Sequence, residues 1–140
     1  MNYLCADKTF NFNYMFKILE NLRYAKTHEW VLNETTVRIG ISDFAQQAMG
    51  DLVFINLPEE GDAVTAGEPL GDLESVKAVS DILSPVTGTV TAVNQAVIDQ
   101  PELINGDPYE NWFVEVSDIT GESELMTAAE YEEFCKKEAH

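Results

Sequence analysis

The sequence predicts a mainly β protein, a small sandwich or barrel with short flanking helices and a helix at its end. Three observations predict it. Apolar residues come in short runs rich in β-branched and aromatic types, without helical length or period. Pro58, Gly61, Gly67, Pro69, Gly71, Pro85 and Gly88 punctuate those runs at the spacing of turns between short strands. Clear capping signals for helices are confined to Ser42 and to the stretch after Asn94.

Residues 21–57 read as strands around one short helix. Glu29–Leu32 and Thr36–Ile41 are strand-like and are separated by Asn33-Glu34. Ser42 is placed to cap a helix over Asp43–Met49, with Asp43 in its first turn and Gly50 as its stop. Leu52–Leu57 is a largely apolar strand that Pro58 ends. Thr87–Val93 partly alternates, as a half-buried strand does. Pro101 suits the first position of a short helical turn over Glu102–Ile104, which Asn105–Pro108 breaks. Trp112–Val116 is a further strand. Thr127 and Glu130 form a T-x-x-E capping box for a helix over 127–137, with Tyr131, Phe134 and Cys135 on one face. The expected organisation is a tail of uncertain order over residues 1–20, in which Met15 offers a second start, and one domain over 21–140.

Composition bounds the function. With 140 residues, 45% of them hydrophobic, the chain can fill one core. Its 25 acidic against 8 basic residues give a net charge of -17, which repels a phosphate backbone and an anionic membrane surface. No apolar run approaches the ~20 residues of a membrane span. The amino end lacks the basic and apolar regions of a secretory signal. Cys5 and Cys135 sit at opposite ends and read as ordinary thiols of a reducing compartment. No ligand cluster surrounds His28 or His140, so no metal is expected. His28 has two readings: a group that titrates and tunes docking, or a packed, hydrogen-bonded ring beside Trp30.

The distribution of charge is more telling than its sum. Between Ile39 and Cys135 the only cation is Lys77, among 20 acidic residues. Lys77 falls within Glu74-Ser75-Val76-Lys77-Ala78-Val79-Ser80-Asp81, where two short strands meet between Gly71 and Pro85. Small side chains flank it. A hairpin tip there would hold one amine away from a rigid scaffold, open to a modifying enzyme.

These residues carry a resemblance. Gly61-Asp62, Gly67, Glu74–Ala78, Asp81-Ile82 and Pro85–Val90 resemble the biotinyl/lipoyl carrier domains, which implies a flattened barrel of two small sheets with the modified lysine at a hairpin tip. Biotin carriers flank that lysine with methionine. Val76 and Ala78 stand here, so the lipoyl type is the better match. Tyr24–Trp30, Gly40–Gln46, Leu52–Pro58, Val93-Asn94, Pro101–Asn105 and Pro108-Tyr109, in this order, resemble the H-proteins of the glycine cleavage system over roughly residues 22–134. Phe44 stands where that family often has His, and Asn111 where Gly is common.

The resemblance implies a non-catalytic carrier with lipoate in amide linkage on Lys77. It would shuttle an aminomethyl group from a pyridoxal-phosphate glycine decarboxylase to a tetrahydrofolate-dependent aminomethyltransferase. A flavin (FAD) dihydrolipoyl dehydrogenase would then reoxidise it. Glu74, Ser75, Val76, Ala78 and Asp81 would let lipoate ligase or lipoyl transferase recognise the lysine. Thr27, Glu29 and Asp81 would shelter the loaded arm. The expected carrier is a monomer of the bacterial cytoplasm, or of the mitochondrial matrix in a eukaryote. An alternative keeps the same lysine but makes the chain a relay that donates lipoate to other lipoylated enzymes. An unmodified β interaction module and a hydrolase are weaker alternatives. Ser75 and Ser80 beside Lys77 lack an oxyanion motif.

Overall fold

The computed structural model describes residues 16–139, with side chains as far as Glu138. Ten strands and four helices follow one another among the described residues: β1 (Arg23–Ala25), β2 (Glu29–Asn33), β3 (Val37–Ile41), α1 (Asp43–Met49), β4 (Leu52–Asn56), β5 (Ala63–Val64), β6 (Pro69–Ser75), β7 (Val79–Leu83), β8 (Val86–Val93), α2 (Gln95–Asp99), α3 (Glu102–Gly106), β9 (Val114–Glu122), β10 (Leu125–Met126) and α4 (Ala128–Ala139).

The strands form two antiparallel sheets that are not closed into a barrel. Seven strands run in the order β10-β1-β2-β3-β9-β8-β5, and three in the order β4-β6-β7. The predicted class therefore holds, with one sheet larger than expected. Val31, Ile39, Val90 and Val116 of the large sheet meet Ile55, Leu73 and Ile82 of the small one in a single core. Burying such side chains is worth roughly 1.5–3 kcal/mol each, and it fixes the strand register because a one-residue slip would turn them to solvent.

A second cluster joins α4 to the outside of the large sheet. Tyr24 stacks on Tyr131 with ring centroids 4.3 Å apart, and Trp30, Cys135, Ile18 and Leu19 pack around them. The α4 capping box is formed: Thr127 N–H donates to Glu130 Oε1 at 2.9 Å, and Glu130 N–H to Thr127 Oγ1 at 3.2 Å. Gly40 lies directly opposite Trp30, and a Cβ there would come within 2.6 Å of the indole. Of the segment expected as a tail, residues 1–15 and Cys5 with them lie outside the described residues. Phe16, Ile18 and Leu19 are buried, and Lys17 N–H donates to Asp43 Oδ2 at 2.8 Å.

Several elements differ from the sequence reading: α2 is not marked there, α4 runs to Ala139 rather than 137, and β9 begins at Val114 rather than Trp112. β9 extends to Glu122, although 117–121 are mostly polar, because β8 pairs with it as far as Val86↔Glu122. Asp118, at φ 55°, and a register shift absorb an irregularity in that ladder. β10 is two residues long and exists by pairing with β1. The turn after Pro101 continues through Asn105 to Gly106 as α3.

Candidate functional site

Lys77 stands in the turn between β6 and β7 and is exposed. The turn is held from both sides. Ser75, itself buried, accepts at Oγ from Ala78 N–H at 3.0 Å and Lys77 N–H at 3.3 Å, and its own N–H donates to Ala78 O at 2.8 Å. From the junction before β4, Asp51 O accepts from Val76 N–H at 3.1 Å. Each backbone donor of the tip thus has a partner that fixes its direction.

The junction between α1 and β4 forms the seat for this tip. Ser42 caps α1 by accepting from Ala45 N–H, and Gly50 ends it at φ 83°, a conformation that favours glycine. A Cβ at Gly50 would lie 3.3 Å from Lys77 Cε, so the lysine stem lies across the bare glycine backbone. Asn105 clamps the junction from α3. Its Nδ2 donates to Gly50 O at 3.0 Å and Gln46 Oε1 at 2.8 Å, and its Oδ1 accepts from Leu52 N–H at 2.9 Å. Sequence reasoning gave Gly50 and Asn105 only the roles of helix stop and helix breaker. Nothing local signals that both converge on a lysine far away in sequence.

Glu29 defines the other end of the small sheet. It opens β2 in the large sheet and is 2% exposed. Its carboxylate crosses to β7, an edge strand, and accepts from Leu83 N–H at 3.1 Å. The Thr27 hydroxyl donates to the other oxygen. Burial pushes the Glu29 pKa up from 4.5 to about 7, against the lowering effect of the Thr27 and Leu83 hydrogen bonds. An open cavity of about 350 Å³ lies against this pair, lined by Thr27, Glu29, Gly67, Leu83, Ser84 and Glu124 among others.

The structure therefore groups the sequence-derived residues in two places. Glu74, Ser75, Val76 and Ala78 surround Lys77 at the tip, with Glu74 and Val76 exposed. Thr27 and Glu29 sit together at the cavity. Asp81 joins neither group: it is exposed on the outer face of the small sheet, paired across with Asp72, and does not line the cavity. His28, at φ 80°, is packed and hydrogen-bonded, but against Phe44, Tyr131 and Phe134 rather than beside Trp30 as expected. It stacks on Phe44 at 4.9 Å, with Nδ1 at 2.6 Å from Tyr131 Oη and Nε2 at 2.8 Å from Glu138.

A small β protein that fixes one exposed lysine on a braced hairpin tip is built as a presenting scaffold. The chain matches the family model described as Glycine cleavage H-protein over residues 22–138. A glycine cleavage system H protein of Lachnoclostridium phytofermentans is 56% identical over 124 residues, spanning 87% of this chain and 98% of that one. A probable glycine cleavage system H protein of Thermococcus kodakarensis is 48% identical, spanning 86% and 94%. The crystal structure of a glycine cleavage system H protein from Mycobacterium marinum superposes with a TM-score of 0.79 at 39% identity, covering 88% of this chain and all of that one. The chain belongs to the glycine cleavage H-protein family.

The raised pKa of Glu29 gives a pH signature. In the folded state Glu29 binds its proton at higher pH than in the unfolded chain. The stability that this contributes is complete below pH 4.5 and is lost as pH rises through about 7. Glu29→Gln is expected to gain on the wild type across that window, by on the order of 3 kcal/mol at most. Urea midpoints of the two chains over this pH range would show it; parallel profiles would contradict it.

Proposed function

We propose that this chain is the lipoyl carrier of glycine cleavage, with lipoate in amide linkage on Lys77. The observation that carries this reading is the presentation of Lys77: the lone cation of its stretch, exposed, on a turn braced by Ser75 and Asp51. The residues fit the group. The turn is open, so a ligase can reach Nζ, and the small residue Ala78 follows the lysine. Bound lipoate supplies a disulfide that takes up the aminomethyl cargo together with two electrons.

The carrier itself catalyses nothing in this account. It receives cargo at the pyridoxal-phosphate decarboxylase, yields it at the folate-dependent aminomethyltransferase and returns to its oxidised state at dihydrolipoyl dehydrogenase. Tethering raises the effective concentration of cargo once the carrier docks. The chain's negative charge speeds encounter with enzymes that present basic patches. Glu74, exposed and three residues before the lysine, gives the ligase or lipoyl transferase a charged contact by which to select Lys77.

The cavity beside Glu29 suits the cargo. β7 leads from the tip to it; Val79–Leu83 is five residues, whose four steps of 3.3 Å span about 13 Å. An aminomethyl amine is cationic near neutral pH. A cation beside the desolvated Glu29 carboxyl favours its ionised form and supplies the partner that burial denies it. The Thr27 hydroxyl holds the carboxylate in place. Asp81, on the outer face of β7, adds negative charge along the route rather than at its end.

Two measurements test the reading. Incubation with lipoate, ATP and a lipoate ligase is expected to add one lipoyl group to the wild type and none to Lys77→Ala by intact mass. Addition to neither chain would contradict it. Once loaded, Glu29→Ala is expected to lose the aminomethyl group to water about tenfold faster than the wild type, the scale of one charge-assisted contact. An unchanged loss rate would remove Glu29 from the shelter.

A further inference from the structure

The outer face of the small sheet carries a pattern that lysine presentation does not require. Among the described residues, five large apolar side chains are well exposed: Val53, Phe54, Val76, Val79 and Ile119. Four of these five surround Lys77. Phe54 is directly opposite Glu74, and Glu74 directly opposite Val79, so the three side chains form one row across β4, β6 and β7. Facing residues of an antiparallel pair share a face with Cβ atoms about 5 Å apart, so Phe54 and Val79 flank the stem of Glu74. Phe54 is 50% exposed and Val79 70%. Val76, 72% exposed, adjoins the lysine in the turn.

A bulge makes this face wider. The register of β4 against β6 shifts between Leu52 and Phe54, which leaves Val53 unpaired and 53% exposed while Leu52 and Ile55 stay buried. Without the shift, strict alternation would turn one of the two adjacent apolar residues inward. The next outward row, farther from the tip, is polar and acidic: Asn56, Asp72 and Asp81 face one another across the three strands. The lysine thus emerges from an apolar collar with an acidic row behind it.

We infer that this collar is a docking surface for the enzymes that use the carried group. Its occupant is an enzyme face with an apolar hollow around its active-site entrance and lysine or arginine side chains at the rim that meets Asp72 and Asp81. The inference rests on the carrier reading above and specifies its partner contact. Charge complementarity argues for the occupant. A chain with a net charge of -17 repels a second copy of itself, and the acidic row beside the collar repels an anionic lipid surface. The collar provides the short-range apolar contact that distinguishes docking from diffuse attraction. A few such residues, desolvated at the centre of an interface, carry most of its energy. Phe54 is the anchor, being the only aromatic among the five.

The test is direct binding, which does not depend on lipoylation. The unmodified wild-type chain, Phe54→Ser, Val79→Thr and Ile119→Ser are titrated against the folate-dependent aminomethyltransferase of a glycine cleavage system. Phe54→Ser is expected to weaken binding about tenfold or more, and Val79→Thr, which keeps strand propensity, several-fold. Ile119→Ser, outside the collar, should bind as the wild type does. Asp72→Asn with Asp81→Asn should flatten the dependence of binding on salt. Wild-type affinity in Phe54→Ser, equal weakening by Ile119→Ser, or no binding by the wild type would overturn the inference. So would self-association of the wild type that Phe54→Ser abolishes, since the collar would then belong to a second copy. Failure of Lys77 to take lipoate would instead count against the carrier reading, and intact mass separates the two.

Discussion

The site depends on one constraint: a hairpin turn that presents a lysine must be stiff in the backbone and open at the side chain. The Ser75 hydroxyl meets the first demand from inside the turn, and the Asp51 carbonyl meets it from the junction between α1 and β4. Neither contact covers the lysine. Gly50 then contributes by having no side chain, because any Cβ there would crowd the lysine stem. The seat is in turn fixed by Asn105, whose amide satisfies donors and acceptors on both α1 and β4. Two short helices that look incidental in the topology are therefore parts of the lysine's support.

The two sheets divide the labour. The three-stranded sheet carries the lysine turn at one end. The seven-stranded sheet supplies the core and reaches over with Glu29 to the free edge of β7. That one carboxylate ties the sheets together, satisfies an edge N–H and borders the open cavity. Its burial is costly, and the cost appears as a pKa displaced to about 7. The carboxylate accepts one hydrogen bond on each oxygen, from Thr27 and from Leu83, where a glutamine could accept on one only.

Much of this was legible in the sequence. Lys77 stood out because charge isolates it, and turn residues on both sides set it at a hairpin. Ser42, Gly50 and the Thr127–Glu130 box marked helix ends correctly because caps are local chemistry. What escaped reading was non-local. β10 and the second half of β9 are strands only because β1 and β8 lie beside them. Phe16, Ile18 and Leu19 looked like tail because their partners, Tyr24 and Tyr131, come together only after α4 folds back. Asp81 seemed to belong with Glu29, yet strand alternation and pairing with Asp72 place it on the outer face. The bulge that exposes both Val53 and Phe54 has no signature in a run as apolar as Leu52–Ile55.

The central claim is that the turn carrying Lys77 is pre-organised by Ser75 and Asp51. Backbone 15N relaxation of the unmodified chain tests it most directly. The account predicts order parameters for Val76, Lys77 and Ala78 near the ~0.85 of rigid strands, falling in a Ser75→Ala variant. Values below about 0.6 in the wild type, or no change on removing the Ser75 hydroxyl, would contradict it.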